Sequence, residues 1–205
     1  MRNMRKVLLI NGSPHQAGCT NRALEECASS LRASGIEASI LWLGNKPVPD
    51  CIACGKCSAT GKCIFDDAVN QVLEMLDDID GLVVGSPVYY AGPTGAVCSF
   101  MDRLFYIAEP RMAGKAAAAV VSCRRGGSSS AFDRINKYFS ICSMNIVGSQ
   151  YWNQVHGRKP EDLDRDQEGL QTMRTLGANM ASLIKAQEGV SLPLHEKRIR
   201  TNFGG

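Results

Sequence analysis

Six residues near the start of the chain, Lys6–Asn11 (KVLLIN), run apolar without alternation and stop at Gly12-Ser13-Pro14. A strand buried on both faces has this pattern, and such strands belong to parallel sheets covered by helices on both sides. A helix is therefore required after each strand. From Asn21 onward Leu24, Cys27, Ala28 and Leu31 recur at three and four residues, and Gly35 is placed to end that helix. Glu37–Leu43 reads as a second strand, Asp66–Asp77 as a helix through Val69, Val72, Leu73 and Leu76, and Gly81–Ser86 as a third strand. The alternation continues with a helix over Thr94–Ile107, a strand at Ala116–Cys123 and a helix over Ala131–Ile141. A strand near Ile146–Gln150 and a last helix over Asp162–Ala186 complete it. Five strand-helix pairs predict a doubly wound α/β domain, with the loops that leave the carboxyl ends of its strands gathered at one edge.

The 205 residues, 44% hydrophobic and 21% charged, exclude a disordered, collagenous or coiled-coil chain. With no internal repeat, residues 1–205 read as one domain carrying a cysteine-rich loop at 47–65 and an extended basic tail at about 190–205. Ala116–Val121 and Gly81–Val84 are far shorter than a membrane-spanning helix, so no membrane partner is expected. Val7–Ile10 is too short for a signal-peptide core and runs into Asn-Gly-Ser-Pro; a cytoplasmic location is expected. The net charge of +3, with basic residues dispersed apart from Arg124-Arg125 and Lys197–Arg200, argues against nucleic acid. Nine cysteines without an export signal argue against a secreted disulfide framework.

Three loops fall at the carboxyl edge. In Gly12–Thr20, Gly12 and Gly18 allow close backbone approach, Ser13 and Thr20 offer hydroxyls, and the following helix presents its N-terminus. A phosphate suits this loop, and lacking both the P-loop and the dinucleotide spacing it suits a monophosphate; a polar turn without ligand is the alternative. His15 is either a phosphate contact or a solvent-exposed loop histidine. In Ser86–Thr94, Pro87 and Pro93 stiffen the backbone while Tyr89 and Tyr90 offer flat aromatic surface for a planar ring whose edge main-chain groups can bond, or packing alone. In the third loop, Cys123–Gly127, Arg124 and Arg125 carry charge, as ligand contacts or a solvated pair, and Gly126 and Gly127 allow backbone approach.

The Gly-Ser-Pro-x-x-x-Gly-x-Thr loop, the Ser-Pro-Val-Tyr segment and Phe100-Met-Asp-Arg103, in this order, resemble the NADPH-dependent FMN reductases of the flavodoxin-like fold over about residues 5–150. The resemblance implies a five-stranded parallel sheet of order 2-1-3-4-5 with helices on both faces. It also implies FMN, with the phosphate in the Ser13–Asn21 loop and the isoalloxazine ring against Pro87–Tyr90 and Ser122–Gly127. Backbone N–H groups of Val88–Tyr90 and Arg124–Gly127 are then expected to stabilise the reduced ring, and no side chain is nominated as acid or base. Cys19 departs from the usual Asn or Ser; a thiol at a helix N-terminus is expected to have a lowered pKa and redox sensitivity, the alternative being a small residue tolerated in the loop.

Cys51, Cys54, Cys57 and Cys63 follow the spacing C-x2-C-x2-C-x5-C, with Gly55 and Gly61 letting the chain curl. Four thiolates at this spacing suit a [4Fe–4S] cluster; a zinc site, disulfides and metal-free thiols are the competing readings. Together with Ile64-Phe-Asp-Asp67 the run resembles the compact cysteine motif of the iron-sulfur flavoproteins, a branch of the same family. Cys27, Cys98 and Cys142 sit on apolar helical faces and read as core. The resemblance implies an FMN oxidoreductase with NAD(P)H or reduced ferredoxin as donor and a small electron acceptor such as a quinone, a free flavin or oxygen. It implies a homodimer or homotetramer as well, with Trp152 and the Cys51–Cys63 loop as candidate contacts. A flavodoxin-like electron carrier without small-molecule turnover and a flavin-free scaffold with a zinc knuckle are the rivals.

Overall fold

The computed structural model describes residues 4–193 together with Glu196, Ile199 and Thr201. The elements are β1 (Lys6–Asn11), α1 (Cys19–Ala33), β2 (Glu37–Trp42), the single turn α2 (Cys57–Thr60), α3 (Ala68–Met75) and β3 (Gly81–Pro87). They continue as α4 (Gly95–Met112), β4 (Ala116–Cys123), α5 (Ser128–Ile141), β5 (Asn145–Ile146), β6 (Gln154–His156) and α6 (Gln167–Ala186). All strand pairs are parallel, in the order β2-β1-β3-β4-β5, with β6 also on β4. This is the flavodoxin-like order expected above.

Because side chains alternate across a strand, the continuous apolar runs feed two cores. Leu8, Ile10, Leu82, Val84, Ala117 and Ala119 face α3, α4 and α5. Val7, Leu9, Val83, Ala116, Ala118 and Val120 face α1 and α6. Each fully buried valine or leucine contributes roughly 1.5–3 kcal/mol. On the second face α1 and α6 approach closely at Gly177, where a Cβ would stand 2.6 Å from the Cys27 carbonyl oxygen.

Three elements differ from the sequence expectation. The fifth strand is broken in two: β5 pairs with Ala116 and Ala117, and β6 pairs with Val121–Cys123 at the other end of β4. Between them the chain is drawn onto α6, where Ser149 Oγ donates to the Thr172 carbonyl at 2.7 Å and the Asn179 amide donates to the Gly148 carbonyl at 3.0 Å. The last helix is also divided, into a 3₁₀ turn at Pro160–Asp164 and α6, because Asp166 accepts the Gly169 N–H at 3.1 Å and caps α6 there. Helix α4 runs past Ile107 to Met112, since Ala108 and Met112 prolong its buried stripe. The tail expected at 190–205 lies mostly outside the described residues; residues 190–193 have no regular structure.

Candidate functional site

β1 and β3 are neighbours in the sheet, and β2 and β4 lie on their outer sides. At such a switch point the loops leaving the two strands diverge and open a crevice at their carboxyl ends. Asn11, the last residue of β1, organises the first loop. Its buried amide donates to the Gln16 carbonyl at 3.0 Å and to Asn21 Oδ1 at 3.2 Å, and its Oδ1 accepts the Ser13 N–H at 3.1 Å. Trp42 at the end of β2 donates its indole N–H to the Ser13 carbonyl at 2.7 Å. Gly12 is packed so closely that a Cβ there would lie 2.0 Å from Val97 Cγ2. The loop thus enters α1 at Gly18, an extended cap residue without a side-chain cap, leaving first-turn N–H groups for an external acceptor.

One cavity of about 470 Å³ unites the three expected loops: Ser13, His15, Gly18, Cys19 and Thr20 from the first, Pro87 and Val88 from the second, Ser122 and Arg124 from the third. A buried hydrogen bond between Thr20 Oγ1 and Ser122 Oγ, 2.8 Å, ties the first loop to the third. A fourth wall was not foreseen from the sequence. Gly157, Arg158, Lys159 and Pro160 follow β6 and line the same cavity. Asp162 holds this wall by accepting the N–H groups of Arg158 at 2.8 Å and Lys159 at 3.1 Å, and those bonds keep its carboxyl below the usual carboxylate range. Among the described residues lining the cavity, His15, Arg124, Arg158 and Lys159 can carry positive charge and no acidic side chain opposes them.

Asn21, Tyr89, Tyr90, Arg125, Gly126 and Gly127 do not line this cavity among the described residues. Asn21 is bound to Asn11. Tyr89 to Gly92 form a tight turn in which each of these two residues donates its N–H to the other's carbonyl and Tyr90 and Ala91 take positive φ of 47° and 61°. Tyr90 is fully exposed and Tyr89 half exposed. Gly127 has a φ of 87° and abuts this turn, a Cβ there falling 2.9 Å from Ala91 Cα. Two of the expected ring-stabilising donors are committed within the protein: the Val88 N–H donates to the Ser122 carbonyl and the Tyr89 N–H to the Gly92 carbonyl. The N–H groups of Arg124–Gly127 make no backbone hydrogen bond among the described residues. The expected lowering of the Cys19 pKa is corrected. Burial pushes the Cys19 thiol up, the nearby Asp162 carboxylate adds to this, and the bond from its own N–H does not offset them.

Cys51, Cys54, Cys57 and Cys63 line a second cavity of about 180 Å³, walled by Ile52, Ile64, Phe65, Tyr106 and Ile107 and floored by Arg103. Positive φ at Ala53, Gly55 and Gly61 curls the loop, as the glycine placement predicted for two of the three. Asn70 on α3 clamps its return, accepting the Cys63 N–H at 2.8 Å and donating to the carbonyls of Cys63 and Phe65. All nine cysteines are free thiols. No three His, Cys, Asp or Glu among the described residues meet at a point suited to one metal ion; the four cysteines share the lining of one cavity. Cys27 and Cys142 are core residues as expected, whereas Cys98 is half-buried. No helix among the described residues is long and apolar enough to cross a membrane.

Residues 5–158 match the family description of the NADPH-dependent FMN reductases. An iron-sulfur flavoprotein of Methanocaldococcus jannaschii is 33% identical over 190 residues, covering 88% of this chain and 97% of that protein. A second from the same organism is 30% identical over 200 residues, covering 90% and 100%. Among solved structures, RosB with a bound 8-demethyl-8-formylriboflavin-5'-phosphate intermediate has a TM-score of 0.73 at 14% identity, covering 98% of this chain and 93% of that one. A WrbA-like flavodoxin from Agrobacterium tumefaciens has a TM-score of 0.61 at 15% identity, covering 90% and 99%. The chain belongs to the NADPH-dependent FMN reductase family, in its iron-sulfur flavoprotein branch.

Proposed function

We propose that the protein is an FMN-dependent oxidoreductase that takes electrons from NAD(P)H or a reduced ferredoxin and passes them, through a [4Fe–4S] cluster, to a small electron acceptor. The carrying observation is the convergence of the Ser13–Thr20, Pro87–Val88 and Ser122–Arg124 loops on one cationic cavity at the β1/β3 switch point. The residues fit FMN: uncapped first-turn N–H groups, a basic rim and no lining carboxylate suit a phosphate dianion. Ser13, Gly18, Thr20 and the N-terminus of α1 would hold that phosphate, with Arg158 and Lys159 adding charge. Pro87 and Val88 supply the apolar wall for the ring, and the N–H of Arg124, the residue of the third loop's Arg-Arg-Gly-Gly run that lines the cavity, is available to stabilise negative charge on it. FMN, when bound, accepts a hydride as an electron pair and releases electrons singly, as a one-electron cluster requires.

The cysteine cavity fits a cluster better than a single ion. Each cysteine of a [4Fe–4S] group binds a different iron, so four cysteines lining one cavity suit it, whereas zinc draws its ligands to about 2.3 Å from one point. A homodimer or homotetramer belongs to the same reading, with Trp152, 55% exposed, at the contact. The test is anaerobic mixing of FMN-loaded protein with NADPH, NADH or reduced ferredoxin, followed by a quinone or free flavin. Bleaching of the flavin absorbance and its steady-state recovery are expected. Failure of every donor to bleach it overturns the proposal; bleaching without turnover of any small acceptor favours the flavodoxin-like carrier instead.

A further inference from the structure

Arg103 is the bulkiest fully buried side chain among the described residues, 2% exposed, and it lies away from the flavin cavity. It comes from α4 and forms the floor of the cysteine cavity. One guanidinium nitrogen donates to Asp67 Oδ2 at 2.6 Å; the other donates to Asp67 Oδ1 at 3.3 Å and to Cys63 Sγ at 3.4 Å. The Phe65 ring lies 5.4 Å from the guanidinium carbon. The buried Nε–H has no partner among the described residues. For packing alone this arrangement is poor, because burying a guanidinium costs desolvation that its half-buried partner Asp67 only offsets, and an orphaned donor adds a further cost. Its outcome is a fixed positive charge with a hydrogen bond directed at one cysteine sulfur.

We propose that Arg103 is a positioning residue that raises the reduction potential of the cluster held by the cysteine loop, with Asp67 as its electrostatic counterweight. The inference rests on the cluster reading above. Reduction adds one electron to the site; a donor to a ligand sulfur and a nearby cation favour the more negative state, and a nearby carboxylate disfavours it. Arg103 is itself neither oxidised nor reduced.

The test compares full-length, anaerobically purified wild type with Arg103→Gln, Arg103→Lys and Asp67→Asn. Iron and sulfide are quantified, and the cluster midpoint is read by electron paramagnetic resonance at poised potentials. Asn at position 67 keeps an oxygen for the Val69 N–H, so α3 retains its cap. Arg103→Gln is expected to move the midpoint down by about tenfold in the reduction equilibrium, 59 mV for one electron. Asp67→Asn moves it up, and Arg103→Lys falls between wild type and Arg103→Gln. Midpoints that stay put, or that move in the same direction in Arg103→Gln and Asp67→Asn, overturn the inference while leaving the cluster reading intact. So does loss of iron from Arg103→Gln with Asp67→Asn unmoved, the result of a purely structural arginine. Wild-type protein without iron after anaerobic reconstitution overturns both.

Discussion

Thr20 Oγ1 and Ser122 Oγ lie 2.8 Å apart with both residues buried, so one hydroxyl pair joins the start of α1 to the end of β4 across 102 residues of chain. Thr20→Val keeps the shape but leaves Ser122 Oγ without its partner, a loss of about 1–3 kcal/mol. The double variant Thr20→Val/Ser122→Ala removes both polar atoms and is expected to be less destabilised than the sum of the single changes. Urea unfolding of the four proteins measures this. Strict additivity would mean that the two hydroxyls are not coupled.

Arg158 and Lys159 provide a test of the phosphate arm. Each changed to Ala is expected to weaken FMN binding about tenfold, ~1.4 kcal/mol, and to leave riboflavin binding nearly unchanged. The FMN effect shrinks as salt screens the exposed charges. Fluorescence titration with both flavins reads it; an equal loss for riboflavin would place these residues elsewhere than at the phosphate.

The turn Tyr89–Gly92 carries two non-glycine residues at positive φ. Left-handed backbone costs roughly 1–2 kcal/mol per residue, so Ala91→Gly is expected to stabilise the protein by about 0.5–1 kcal/mol after the entropy of glycine is counted. Gly127→Ala has the opposite sign, since it meets both a positive φ and the Ala91 backbone, and is expected to cost about 1–3 kcal/mol. Unfolding midpoints at unchanged m-value decide both.

Glu26 joins α1 to α6, accepting Arg22 at 2.7 Å and Arg174 at 2.5 Å. Burial pushes its pKa up, but the two guanidinium bonds outweigh this and hold it below the ordinary 4.5. A carboxyl with a depressed folded value contributes stability that is complete above its unfolded pKa and is lost as pH falls through the folded one. Glu26→Gln is therefore expected to cost about 1–2 kcal/mol at pH 7, with a deficit that narrows below about pH 4.5. A deficit independent of pH would contradict the assignment.

The strands and the three loops were legible because each buried apolar run stops at a residue that breaks it, Gly12, Pro87 and Arg124, whereas the strand order followed from the family resemblance of the motifs and not from the runs themselves. What escaped was tertiary or too short. β6 has only Val155 fully buried, so it carries no periodicity, and with it Arg158 and Lys159 were missed. Asn11 was read only as the end of a strand, since nothing local announces that its amide holds the next loop. Phe100–Arg103 and Ile64–Asp67 were noticed as motifs, yet the ion pair joining them crosses 36 residues and exists only in the fold. Tyr89 and Tyr90 were expected to offer surface for a ring; that they form a tight turn ahead of Gly92-Pro93, with Tyr90 and Ala91 at positive φ and Tyr90 exposed, is a backbone detail that the Pro and Gly residues alone did not specify.

The most direct test is an absorption spectrum of anaerobically purified protein, with FMN, iron, zinc and acid-labile sulfide quantified on the same sample. One FMN and about four irons with matching sulfide per chain are expected, and replacing Cys63 with serine should lower the iron while leaving FMN in place. Protein that holds neither flavin nor iron after anaerobic reconstitution, or that binds zinc at the four cysteines, would contradict the assignment.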